Sequence, residues 1–164
     1  MDHAPVAPPR IRDGVAADVD RCLSIWVAAC ADRDGKALEG VAERARPKFD
    51  RSVSWLLATD GDHVLGFVLA TRPGSGMQTD PEGAAVVGLL AVDPGQQTVG
   101  LGRALLRAVT ERLAALQYSR AVLHALVDNV PAVHLYESEG WRADGEEHDH
   151  ALLHRPVRTF ARTL

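Results

Sequence analysis

Between Asp93 and Val109 the chain reads DPGQQTVGLGRALLRAV, which sets Pro94, Gly95, Gly100 and Gly102 before an apolar-periodic helix and after the apolar run AAVVGLLAV. Up to Gly102 only Asp93 carries a charge. Glycines at such a junction let backbone come close to a ligand and adopt positive φ. The helix that follows opens with unpaired N–H groups. That combination can hold an anion, a phosphate above all. A plain tight turn between strand and helix is the competing reading. A second stretch, NVPAVHLYESEGW from Asn129 to Trp141, contains Tyr136. A phenol of pKa ~10 is protonated at neutral pH and can deliver its proton to a departing thiolate, whose pKa is ~8.5.

Two familiar phosphate loops do not fit. Four residues separate Gly95 from Gly100, as a Walker A loop requires, but Leu101 and Gly102 stand where its Lys and its hydroxyl residue belong. A dinucleotide fingerprint starting at Gly100 and Gly102 places its third small residue on Leu105, and follows a hairpin instead of opening a βαβ unit.

The surrounding pattern predicts how these stretches are held. Arg10–Arg12 reads as a short strand. A helix from Val15 to Ala31 follows, with Asp13 as cap. A more polar helix runs from Lys36 to Arg46, stopped by Pro47. SVSWLLAT and HVLGFVLATR form a hairpin about DGD, and AAVVGLLAV is a central strand. Leu101, Leu105, Val109, Leu113 and Leu116 recur every three or four residues as one buried helical face. AVLHALV is a strand. Asn129 caps the next helix, with Pro131 in its first turn and Gly140 past its end. Two last strands turn at Gly145–Glu147.

The chain has 164 residues, 46% hydrophobic and 24% charged, with a net charge of −4. One domain over 10–164 is expected, behind a disordered, proline-rich leader over 1–9. The charge offers no basic field for nucleic acid or an anionic membrane, and no apolar run reaches the ~20 residues of a membrane span. MDHAPVAPPR lacks the cationic and apolar segments of a secretory signal. Cys22 and Cys30, eight apart in one helical pattern, rise ~12 Å and so cannot bridge. They read as buried thiols of a reduced cytoplasmic protein.

The segment Gln97-Thr98-Val99-Gly100-Leu101-Gly102 matches the Q/R-x-x-G-x-G/A signature of the GNAT superfamily, the acyl-CoA-dependent N-acyltransferases. Asn129 to Trp141 resembles that superfamily's N-x-x-A-x-x-x-Y-E-x-x-G-F segment, with Trp141 in the aromatic place. The two motifs lie in order, about 30 residues apart, and the order of elements from Arg10 onward is also similar. The resemblance implies a mixed α/β (α+β) fold with a central six- to seven-stranded sheet, splayed between strands four and five and flanked by about four helices. It implies acetyl-CoA as cosubstrate, with no metal, and an amine of a small molecule or protein as acceptor. The diphosphate would rest on main-chain amides of Gln97, Val99, Gly100, Leu101, Gly102 and Arg103, whose side chain could add a point contact. The pantetheine arm would pair with the backbone of Leu90 and Val92 in the splay, started by a bulge at Gly88. Asn129 either caps its helix or bonds the arm. Tyr136 would be the general acid. Similar proteins often form homodimers, which nothing in this sequence marks.

For the base the sequence offers two candidates. Glu82, in the turn DPEG, is the nearest carboxylate to the central strand, with a solvated loop residue as the competing reading. His124 is a second candidate, or a satisfied core histidine. His148, His150, His154 and Asp149 read as a solvated strand, not a metal site. Trp26 and Trp55 either line an acceptor pocket or pack in the core. Without a convincing base, a non-catalytic acyl-CoA-binding sensor module is the alternative to an N-acetyltransferase.

Overall fold

The structure is a computed structural model that describes residues 9–96 and 100–164. The elements, in order, are β1 (Arg10–Asp13), α1 (Val19–Asp34), α2 (Val41–Asp50), β2 (Ser52–Asp60), β3 (His63–Thr71), β4 (Ala85–Val92), α3 (Leu101–Ala115), β5 (Arg120–Leu126), α4 (Val130–Ser138), β6 (Arg142–Asp149) and β7 (Pro156–Thr163). They build one seven-stranded sheet in the order β1-β2-β3-β4-β5-β7-β6. Every neighbouring pair is antiparallel except β4 and β5.

Two apolar layers sandwich the sheet. On one face Leu101, Leu105, Leu106, Val109 and Leu113 of α3 pack on Leu56, Val68, Val87 and Leu123. On the other, Cys22, Leu23 and Ile25 of α1 and Ala45 and Phe49 of α2 pack on Leu57, Phe67, Leu89 and Ala91. Leu116, expected to end the α3 stripe, is its exposed C-cap. Cys22 and Cys30 are free, buried thiols.

The parallel pair is brief. β4 meets β5 only at Ala85–Ala121 and Val86–Val122, after which the strands part. Opposite β3, Leu89 faces Leu69 while Val87 faces Ala70, so Gly88 is an extra residue in β4. Alternation reverses there: Ala85 and Val87 belong to the α3 core, whereas Leu89 and Ala91 belong to the α1/α2 core. Such a bulge increases local twist and bends the strand, which turns β4 away from β5. Both the splay and the Gly88 bulge are where the sequence places them.

Three local expectations are corrected. Asp13 does not cap the first helix; it pairs with Arg112 at 2.6 Å, and Asp18 accepts the Val15 N–H at 2.9 Å in a short 3₁₀ turn before α1. Pro47 does not stop α2 but lies inside it, because Phe49 beyond it is anchored in the core. Gly145–Glu147 is not the final turn. Asp144 faces Thr159 and His148 faces Val157, so that polar segment is an irregularity within β6, with Gly145 at φ 75°. The connection is 150–155. Its shape comes from His150, whose Nδ1 accepts the N–H groups of Leu152 and Leu153 at 3.1 Å each.

An interior proline removes a helical hydrogen bond and crowds the preceding turn. Pro47→Ala is therefore expected to raise the unfolding free energy by about 1–2 kcal/mol after its unfolded-state entropy is offset. Urea denaturation followed by circular dichroism measures it; a loss of stability would contradict this account of α2.

Candidate active site

The parting of β4 and β5 opens a cleft of about 910 Å³. Gly88 and Leu90 form one wall, His124 and Leu126 the other, and Tyr136 of α4 and Lys48 of α2 also reach it. Beyond Val86 the β5-facing edge of β4 has no ladder partner among the described residues. Its backbone groups, including those of Leu90 and Val92, are open to an extended ligand.

The glycine junction stands at the far end of β4. Asp93 shapes its start: Oδ1 accepts the Gly95 N–H at 3.0 Å and Oδ2 pairs with Arg21 at 2.7 Å, contacts that hold its carboxyl below the usual range. Gln97, Thr98 and Val99 lie outside the described residues. Gly100 is the N-cap of α3 at φ 83°, a left-handed conformation that favours glycine. The first intrahelical bond runs from Ala104 N–H to the Gly100 carbonyl at 3.0 Å, so the amides of Leu101, Gly102 and Arg103 have no helical acceptor. Among the described residues a Cβ on Gly102 would meet only Leu135 Cδ2, at 3.7 Å. None of these neighbours demands glycine there, although it weakens the helix by about 1 kcal/mol relative to alanine.

Arg103 is otherwise engaged than expected. Its guanidinium donates to Ser138 Oγ at 2.9 Å and pairs with Glu139, which Arg107 also holds at 2.8 Å. Arg107 and then Arg103 keep the Glu139 carboxyl below its ordinary range. The side chain thus fastens α3 to α4, where the i, i+4 spacing of the two arginines lets both grip one carboxylate.

α4 takes its expected form, with Pro131 in the first turn and Gly140 at φ 88° beyond the end. Asn129 is N-cap by position, but its side chain makes no capping bond; it lines the cleft instead. The Tyr136 ring lies tilted against Phe160 at 6.2 Å. Among the described residues nothing hydrogen-bonds its hydroxyl, and burial pushes the phenol up to about 12.

The register of Ala85–Ala121 and Val86–Val122 sets His124 opposite Gly88 across the gap. Its ring is fully engaged: Nδ1 shares a hydrogen bond with Thr159 Oγ1 at 2.9 Å, and Nε2 with Asp80 Oδ2 at 3.2 Å. Glu82 is exposed in the turn before β4 and is not among the residues lining the cleft. Trp26 lines the cleft, whereas Trp55 packs edge-on against Phe49 at 4.9 Å. The residue that sequence reasoning missed is Lys48. A Cβ on Gly88 would stand 3.8 Å from its Nζ, so the ammonium hangs over the bulge. Reading Pro47 as a stop hid that position.

The sequence pattern of the acetyltransferase (GNAT) family matches residues 21–141. A mycothiol acetyltransferase of Geodermatophilus obscurus is 37% identical over 99 residues, 59% of this chain and 31% of the relative. One of Acidothermus cellulolyticus is 30% identical over 165 residues, 88% of this chain and 50% of the relative. The chain thus spans half or less of the length of these curated relatives. Among solved structures, the ribosomal-protein-S18-alanine N-acetyltransferase from Escherichia coli superposes with a TM-score of 0.72 at 20% identity, covering 94% of this chain and 93% of that one. A PaiA N-acetyltransferase from Thermoplasma acidophilum, solved in complex with coenzyme A, gives 0.72 at 13% identity over 95% and 99%.

The partly buried phenol gives a direct readout. At pH 10.5 the ultraviolet difference between wild type and Tyr136→Phe is expected to contain no tyrosinate, because burial disfavours the charged form. A tyrosinate band with a midpoint near the ordinary ~10 would show the hydroxyl to be solvated.

Proposed function

Because the chain belongs to the acetyltransferase (GNAT) family, we propose that residues 10–164 form one domain that transfers an acetyl group from acetyl-CoA to a primary amine. The observation that carries this reading is the brief β4–β5 pairing. It leaves an unpaired strand edge that leads from the N-terminus of α3 to a cleft containing Tyr136. The relatives' names point to different acceptors, mycothiol in one group and a ribosomal-protein alanine in another, and neither is carried over to this chain.

In this proposal the pantetheine arm adds to β4 beside Leu90 and Val92, as a peptide adds to a sheet edge. The amides of Leu101, Gly102 and Arg103 hold the diphosphate, completed by Gln97 and Val99 and aided by the positive end of the helix. Arg103 contributes its main-chain N–H, since its side chain is tied to Glu139. Asn129, free of a capping bond, is a second ligand for the arm. The arm then ends at the Gly88 bulge. A neutral amine attacks the thioester carbonyl carbon, forming the C–N bond. The tetrahedral oxyanion collapses, the C–S bond breaks, the sulfur takes the Tyr136 proton, and the proton that the new amide nitrogen sheds goes to solvent, from which the phenolate is reprotonated. The exposed Glu82 has no part in this scheme.

Substitutions at two positions test the halves separately. Tyr136→Phe is expected to lower kcat by about 10²-fold or more, the range of a lost general acid, while calorimetry gives an acetyl-CoA Kd within about twofold of wild type. Full activity in that variant, with its true acceptor, would refute the acid assignment, and acetyl-CoA binding with no turnover of any amine would favour a sensor module. Gly102→Ala, the replacement that the Q/R-x-x-G-x-G/A pattern admits, is expected to stabilise the fold by about 0.5–1 kcal/mol and to keep acetyl-CoA binding, whereas Gly102→Trp is expected to weaken acetyl-CoA about tenfold or more by blocking the close approach of the backbone. Equal binding by the tryptophan variant would show that no ligand approaches that position.

A further inference from the structure

The cleft wall made by α2 carries charge opposite to that of the whole chain. Arg44, Lys48 and Arg51 all line the cleft, spaced by four and three residues, so they form one stripe along the helix and its C-cap. Arg44 donates to the Glu39 carbonyl at 2.8 Å, a main-chain bond, and forms no ion pair among the described residues. Lys48 has no carboxylate partner among the described residues, and burial alone depresses its ionisation. The acidic groups facing the same space are mostly committed. Asp34 pairs with Arg33 at 2.6 Å and Arg155 at 2.9 Å, and Asp128 with Arg155 at 2.7 Å. Asp32 is the remaining carboxylate of the lining.

A partly buried ammonium without a counter-ion is costly unless something else compensates it. Its position says what that is. Nζ sits beside the Gly88 bulge, where the carbonyl under attack lies in the function proposed above, on which this inference rests. Leu89, next to Gly88, packs with Phe49 on the α1/α2 side of the sheet, away from α3. We propose that Lys48 is a specificity-determining residue that binds an anionic group close to the acceptor's amine, with Arg44 and Arg51 extending the field along the cleft. The substrate class is an amine with a nearby carboxylate or phosphate. A charge-assisted contact from the ammonium would orient the amine toward the carbonyl and exclude amines lacking the anion.

The test compares matched acceptors in a thiol-release assay: L-amino acids beside their carboxamides, and O-phosphoethanolamine beside ethanolamine, with each rate expressed per unprotonated amine. Acetyl-CoA binding is measured in parallel by calorimetry. The anionic member of at least one pair type is expected to have the higher kcat/KM by tenfold or more, and which type does so tells carboxylate from phosphate. Lys48→Met is expected to collapse that preference toward one through KM, Lys48→Arg to retain most of it, and Lys48→Glu to invert it, all with wild-type acetyl-CoA affinity. Acetyl-CoA binding with neutral or cationic amines used equally well, or used while no anionic amine is turned over, overturns this inference alone. So does a preference unaltered by Lys48→Met. Absence of acetyl-CoA binding overturns the function proposed above and this inference with it.

Discussion

A parallel strand pair that lasts two residues leaves an exposed row of main-chain donors and acceptors inside a domain. Everything at this site follows from that. Sheets normally satisfy such groups on the neighbouring strand, and here β5 turns to β7 for its whole length while β4 keeps only β3. The bulge at Gly88 makes the arrangement stable: by reversing alternation it lets Leu89 and Ala91 serve the α1/α2 core while Val87 still serves α3. The apolar layers therefore hold the strands apart, and the opening requires no strained residue.

The charged side chains around the opening mostly answer to one another. Glu139 binds Arg103 and Arg107 and joins α3 to α4; Arg21 and Asp93 fix the start of the glycine junction. Arg155, after the β6–β7 turn, reaches both Asp128 behind β5 and Asp34 at the end of α1. That last pair crosses the cleft and ties its two halves together, with Asp34 held down to about 2 by Arg33 first and Arg155 second. Exposed pairs of this kind contribute little stability each, but they fix which groups remain free. Among the described residues, main chain at α3, Asp32 and a basic stripe on α2 remain free.

Much of this was legible because it is local. Gly100 and Gly102, Pro131 and Gly140 are residues whose backbone preferences declare a junction or a helix end, and the structure places each accordingly. The free thiols follow from helix geometry, and the bulge from a lone glycine in an apolar run. What was hidden depends on partners distant in sequence. Pro47 looks like a stop until Phe49 is seen packed against Trp55 and Phe67, and without that the position of Lys48 could not be placed. Arg103 meets Glu139 across 36 residues. The sequence favours a last turn at Gly145 because that glycine with two acidic neighbours is a better turn sequence than the ALLH segment after His150. On an edge strand a polar irregularity costs little.

The central claim is that main-chain amides grip the acyl carrier. Amide resonances of the isotope-labelled protein, followed by NMR during titration with coenzyme A, test it most directly. The largest shifts should fall on Leu101, Gly102 and Arg103 and along the free edge of β4 near Leu90 and Val92. Perturbations confined to the arginine-rich face of α2, with those amides unmoved, would contradict the account.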